Sequence, residues 1–231
     1  MTNALRCLFL AALAVIFSSN VFAQNDDSAR DAEAVKLLKS GTSLITSGQS
    51  VEAVAVFDKV IATYEAAFKD DKRKLYSAHT RQEALMYMVE AANAKTDAEV
   101  VSPNWADAYY LKGYALVELR KTAEAKAALQ RALELAPHDA QYWGELGAVY
   151  QLERDWPAAI SAFQSAAAAS EFSAAQKNAD LSRAWRGLGY VYVELKQFDE
   201  AEKWYQKCLA LDGNDDKAKN ELRYIQTQRE K

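Results

Sequence analysis

The segment AQYWGELGAVYQLERDWPAAISAFQSA, residues 140–166, decides the fold. Trp143, Leu146, Gly147 and Tyr150 fall at i, i+3, i+4 and i+7, the spacing of one face of a helix. Ala159, Phe163 and Ala166 make a matching face on a second helix. Gly147 is expected to face Ala159, letting the two helices cross closely because neither side chain fills the gap. The same set recurs on both sides. Before it stand Tyr109, Gly113 and Leu116, then Ala125, Leu129, Ala132 and Pro137. After it stand Trp185, Leu188, Gly189 and Tyr192, then Ala201, Tyr205 and Cys208. Cys208 occupies the place of Ala132 and Ala166, which makes it a small core residue rather than a reactive thiol.

This pattern of W-x2-L-G-x2-Y, then A-x3-F, then P resembles the tetratricopeptide repeat (TPR) family, whose unit is two antiparallel helices in 34 residues. The resemblance implies an all-α fold: an α-solenoid of helix-turn-helix repeats closed by a C-terminal capping helix. The signature glycines at 113, 147 and 189 are separated by 34 and then 42 residues. The extra eight lie between Ala167 and Ser182. Ser173-Ala174-Ala175-Gln176 has the form of a capping box. The helix leading to Trp185 is therefore expected to begin near Ala174, about two turns early.

The spacing divides the chain into an export segment at 1–23, degenerate repeat-like helices at 24–105, three repeats at 106–139, 140–181 and 182–215, and a capping helix at 216–231. In the degenerate part, Gly41, Leu44, Ala53, Phe57 and Val60 repeat the glycine-to-alanine spacing, and Gly48-Gln49-Ser50 supplies a turn. Pro103 is in register with Pro137. No turn residues interrupt Tyr76 to Ala94, so one long helix is expected there, followed by an extended stretch at Glu99-Val100-Val101-Ser102. At the end, Ala218, Leu222 and Ile225 form one narrow apolar stripe, as a helix closing a repeat array requires.

Residues 1–23 read as a signal peptide. Arg6 supplies the positive start, Cys7 to Phe17 is an uncharged apolar run, and Val21 and Ala23 suit a peptidase cutting before Gln24. The run is shorter than the ~20 apolar residues of a membrane span, so contact with the membrane is expected only in transit. Arg6 before Cys7 disfavours a lipoprotein signal. Cleavage would leave Cys208 as the sole cysteine, without an internal disulfide. The expected location is the periplasm or the medium.

Composition narrows the function further. Three prolines and eight glycines in 231 residues favour helix over a loop-rich β fold. The net charge is -4, and Arg6 is the one charged residue of the first 23, so the remainder carries -5. No basic block offers itself to phosphates, and nucleic acid is not an expected partner. The histidines are His79, placed on the expected long helix, and His138, in the turn after Pro137. Neither metal-ligand spacing nor a nucleophile or phosphate-loop motif occurs, so the expectation is no cofactor, no metal and no enzyme.

A protein or peptide is the expected partner. The TPR resemblance implies that the first helix of each pair lines a concave groove, with positions two, five, nine and twelve facing it. These are Asp107, Tyr110, Tyr114 and Val117, then Gln141, Gly144, Ala148 and Gln151, then Arg183, Arg186, Tyr190 and Val193. Tyr76 and Thr80 extend the surface toward the N-terminus. Tyr110, Tyr114 and Tyr190 fall outside the core face. They are candidate contact residues, or they pack beside neighbouring helices. Arg183 and Arg186 suit a partner's carboxylate or a nearby Glu or Asp equally well. Some TPR domains hold a C-terminal carboxylate with Lys and Asn at positions five and nine; here Tyr110 and Tyr114 stand there, so that clamp is absent. Three readings follow: an exported scaffold, assigned to envelope assembly by analogy alone; a self-associating homo-oligomer; and an unrecognised enzyme.

Overall fold

The computed structural model describes residues 27–172 and 176–230. Residues 1–23, expected to be an export segment, and Ser173-Ala174-Ala175 of the expected capping box lie outside the described residues. The fold is an all-α solenoid with one small insertion. Helix α1 (27–46) pairs with α2 (Ser50–Phe68). Strand β1 (Lys74–Ser77), helix α3 (Arg81–Asn93) and strand β2 (Ala98–Val101) follow. Then come the pairs α4 (Asn104–Glu118) with α5 (Thr122–Leu135), α6 (Ala140–Glu153) with α7 (Trp156–Ala169), and α8 (Lys177–Glu194) with α9 (Phe198–Leu211), and finally α10 (Asp216–Arg229).

Each helix pair is locked by the same device. A Cβ added to Gly113 would stand 2.7 Å from Leu129, one on Gly147 2.8 Å from the Phe163 ring, and one on Gly189 2.6 Å from Tyr205. Gly41 meets Phe57 in the same way. In all four pairs the large side chain comes sixteen residues after its glycine. This corrects the expected Gly147–Ala159 pairing. Ala159 is buried, but the space left by Gly147 is taken by the Phe163 ring. The N-terminal pair lacks the full repeat pattern but has the same socket.

The turn within each pair also recurs. The chain turns left-handed at Gly48, Arg120, Arg154 and Lys196, and again at Lys95 after α3. In each case the next amide bonds back to a carbonyl five residues earlier, as Lys121 to Leu116 and Asp155 to Tyr150, both at 2.9 Å. This closes the helix end and satisfies its last carbonyls. Asp139, Asp155 and Asp215 cap the starts of α6, α7 and α10 with their carboxylates.

The expected long helix over 76–94 does not form. Lys74–Ser77 is a strand, paired in parallel with Ala98–Val101, and α3 is the crossover between them. The extended stretch expected at 99–102 is β2, where Val100 and Val101 suit a pleated strand. Leu75 leans on the main core and Ser77 is buried, so β1 is drawn against α4 and α5. Thr80 ends any helical continuity from Tyr76. It is extended (φ -131°) and its hydroxyl accepts the Glu83 amide. Glu83 in turn accepts the His79 amide at 2.8 Å. Thr80-Arg81-Gln82-Glu83 has the sequence of a capping box, with Glu83 reaching the amide one residue before the cap. His79 accordingly sits in the bend before α3 rather than on a helix, while His138 does lie in the turn after Pro137.

The helix leading to Trp185 begins at Lys177, later than the expected Ala174 but well before Ser182. The short 3-10 turn Ser170–Phe172 precedes it. Cys208 is fully buried, and burial pushes its thiol up to about 11. Ala218 and Ile225 of α10 are buried and Leu222 packs beside them, closing the last pair.

Candidate functional site

The first helices of the three regular pairs form one wall. Helix α4 touches α6, and α6 touches α8. Among the described residues, the second helices α5, α7 and α9 have at most marginal contact with one another. A stack built this way is closer-spaced on the α4–α6–α8 side, which is its inner face.

Asp107 organises the N-terminal end of this wall. It accepts a hydrogen bond from the Tyr142 hydroxyl at 2.7 Å and one from His79 Nε2 at 3.0 Å. His79 Nδ1 stands 3.8 Å from both Asp139 and Glu83. The bond to Asp107, with the neighbouring carboxylates, lifts the imidazole to about 9, so His79 is cationic at neutral pH. Asp139 goes the other way. It is held up at about 6, chiefly by burial, although it caps α6 through the Gln141 and Tyr142 amides. Tyr110 stacks on Tyr142 with ring centroids 4.9 Å apart, and burial raises its phenol.

The expected groove residues divide by environment. Tyr114 and Tyr190 are the open ones, at 39% and 43% exposure. Tyr110 is half-buried against Tyr142, so its ring both packs and lines the wall. Val117 and Val193 lean on the cores of their own pairs. Gln151 donates to the Gly187 carbonyl at 3.1 Å and ties α6 to α8. Gln141 donates to Gln176 at 2.8 Å. Arg186 is held by Asp215, the α10 cap, at 2.7 Å. Arg183 is exposed, and its aliphatic stem lies over Gly144, where an added Cβ would stand 3.6 Å from it. Ala148 is half-buried. Tyr76, in β1, stacks on Tyr87 at 4.7 Å, and Thr80 caps α3.

Thr80 and Gln141, far apart in sequence, line one cavity of about 360 Å³. Sequence reading missed the rest of its lining, which includes His79, Glu83, Tyr87, His138, Asp139 and Phe172. His138 Nε2 donates to Glu90 at 2.7 Å, and its ring stacks on Tyr87. The readable signal was the capping box at Thr80; the rest arises only when β1–α3–β2 folds against α4–α6. Among the described residues no group of His, Cys, Asp and Glu could hold a metal ion. No described helix is long and apolar enough to cross a membrane.

Comparison with known proteins agrees with this architecture. Residues 106–139 and 139–213 each match a tetratricopeptide repeat family. The chain therefore carries tetratricopeptide repeats over the regular part of the solenoid. Among solved structures it is similar to Pseudomonas aeruginosa pilF, at 15% identity over 87% of this chain and 71% of that one, with a TM-score of 0.61. It is also similar to MamA from Desulfovibrio magneticus RS-1, at 17% identity over 85% of each chain, with a TM-score of 0.56. At these identities the likeness is one of fold. No curated protein matches the chain in sequence.

Proposed function

We propose that this protein is an exported TPR scaffold that holds a protein or peptide partner on the face formed by α4, α6 and α8. One observation carries the reading. Tyr114 and Tyr190 keep large rings in water on that face, at 39% and 43% exposure, while most other tyrosines are packed. Exposed tyrosine is favoured at contact surfaces because it offers apolar area and a hydroxyl at little entropic cost. Arg183, exposed on the same face, supplies a charge for orientation. Export rests on the pattern of residues 1–23, and an envelope role rests on that pattern with the analogy of fold alone. Enzymatic chemistry has no motif to support it.

Affinity capture from a native envelope extract, with the chain from Gln24 onward as bait, tests the proposal. A Tyr114→Ala/Tyr190→Ala bait of unchanged helicity is run beside it. A protein retained by the first and lost from the second supports the groove; identical sets from both refute it.

Self-association is the second reading, and a different surface favours it. Leu85, Met88 and Val89 form an apolar stripe on α3, at 67%, 41% and 51% exposure. Molar mass measured across a concentration series separates the two: a rise that Leu85→Glu abolishes favours association through α3.

A further inference from the structure

The cavity beside His79 is built by the two places where the chain departs from a regular repeat. One wall is the start of α3, within the β1–α3–β2 insertion. The opposite wall is Phe172, within the extra residues between α7 and α8. The solenoid's own turn, His138 to Gln141, forms the floor. A second, more apolar cavity of about 170 Å³ adjoins it, lined by Gln82, Glu83, Met86 and Phe172. Glu83 and Phe172 border both.

Glu83 and Asp139 line the larger cavity with their carboxylates. The imidazolium of His79 is the cation among them, and its Nε2 proton is already given to Asp107. Burial holds Asp139 up at about 6 even with that imidazolium 3.8 Å away. Phe172 is 40% exposed, with its centroid 5.0 Å from that of His138. An exposed aromatic ring next to carboxylates suits a cation with an aliphatic stem.

We propose that this cavity takes an arginine side chain of the partner protein, its guanidinium against Glu83 and Asp139 and its stem along Phe172 and Met86. The proposal rests on the reading that the chain holds a protein partner. Arginine fits better than lysine, because a planar fork bonds a carboxylate through two N–H groups while lying on an aromatic face. Glu83 uses one direction of acceptance for the His79 amide, and a carboxylate offers about four.

The chain has two histidines, and both border this cavity. Their ring C–H signals in the proton NMR spectrum report on it directly. The purified protein is titrated with N-acetyl-L-arginine methylamide, and in parallel with N-acetyl-L-citrulline methylamide, its neutral counterpart. The expected result is a saturable shift of both histidine signals with arginine, at a dissociation constant of ~1 mM for so small a ligand. Citrulline is expected to bind about tenfold or more weakly, because it lacks the charge. Glu83→Gln, which keeps an oxygen for the His79 amide, and Phe172→Ala should each weaken arginine binding severalfold, with helicity unchanged. Equal response to citrulline, the lack of a saturable shift up to ~20 times that constant, or arginine binding indifferent to both variants would overturn the proposal. The Tyr114→Ala/Tyr190→Ala protein retains this cavity and should retain the arginine response, so failure here and failure of capture through the groove are distinguishable.

Discussion

The Phe163 ring lies in the space that Gly147 leaves open: a Cβ on Gly147 would stand 2.8 Å from it. Gly187, in the next repeat, approaches the same ring, at 2.5 Å by the same measure. Phe163 thus couples α7 to α6 within its pair and to α8 across pairs. Gly147→Leu should destabilise the protein by ~1–3 kcal/mol, the usual cost of overpacking. Gly187→Ala should cost less, because alanine's better helix propensity offsets part of the clash by up to ~1 kcal/mol. Chemical denaturation of the two variants measures both; an unchanged midpoint for Gly147→Leu would refute the socket.

Gly48 tests the turn in isolation. Its φ is +77° and no atom lies within 4 Å of where a Cβ would be. Gly48→Ala therefore acts through backbone strain alone and should cost ~1–2 kcal/mol in a denaturation experiment. Arg154→Gly, in the equivalent left-handed turn at φ 58°, should be near neutral by comparison. There the relief of strain opposes the greater freedom of glycine in the unfolded chain.

The His79 cluster sets an alkaline limb of stability. The folded imidazole titrates at about 9 against an ordinary 6.5, facing Asp107, Asp139 and Glu83. Its contribution is complete below pH 6.5 and lost as pH rises through 9. Asp139, raised to about 6 from 3.8, favours the fold most below 3.8 and loses that contribution as pH rises through 6, so the two windows barely overlap. Melting temperature should fall between pH 7 and 10 in the parent and fall less in His79→Gln. A His79 titration midpoint near 6.5 would contradict the cluster.

Arg186 and Asp215 fasten the closing helix. Asp215 is the N-cap of α10, its side chain only 6% exposed, and it accepts from Arg186 at 2.7 Å. Asp215→Ala removes cap and ion pair together and should cost ~1–2 kcal/mol. Arg186→Ala keeps the cap and leaves the carboxylate without its guanidinium. Both variants should speed proteolysis within α10 before the rest of the chain is cut; uniform cleavage kinetics would argue against a separately fastened cap.

The regular repeats were legible because their signals are local and recur. Gly113, Gly147 and Gly189 announce themselves by spacing, and even Gly41 with Phe57 survives at the N-terminal end. The socket partner was misread because helix spacing places Ala159 and Phe163 on the same face, and only the packing decides which fills the gap. Strand β1 was hidden for a different reason. Four residues, Lys74 to Ser77, are too few to show alternation, and their partner lies beyond a whole helix. The capping box at Thr80 was readable and went unread. His79, Asp107 and Asp139 come together from three separate stretches of chain, so no spacing rule could assemble them. Tyr114 and Tyr190 were singled out by repeat position; their exposure is a tertiary fact.

The most direct test of partner binding on the inner face is site-specific photocrosslinking in living cells. A photoreactive phenylalanine replaces Tyr114 or Tyr190 on α4 and α8, and exposed Gln164 or Gln206 on the second helices α7 and α9. A discrete crosslinked partner is expected from positions 114 and 190 and none from 164 and 206. Adducts from the second helices alone, or the same adducts from all four positions, would contradict it.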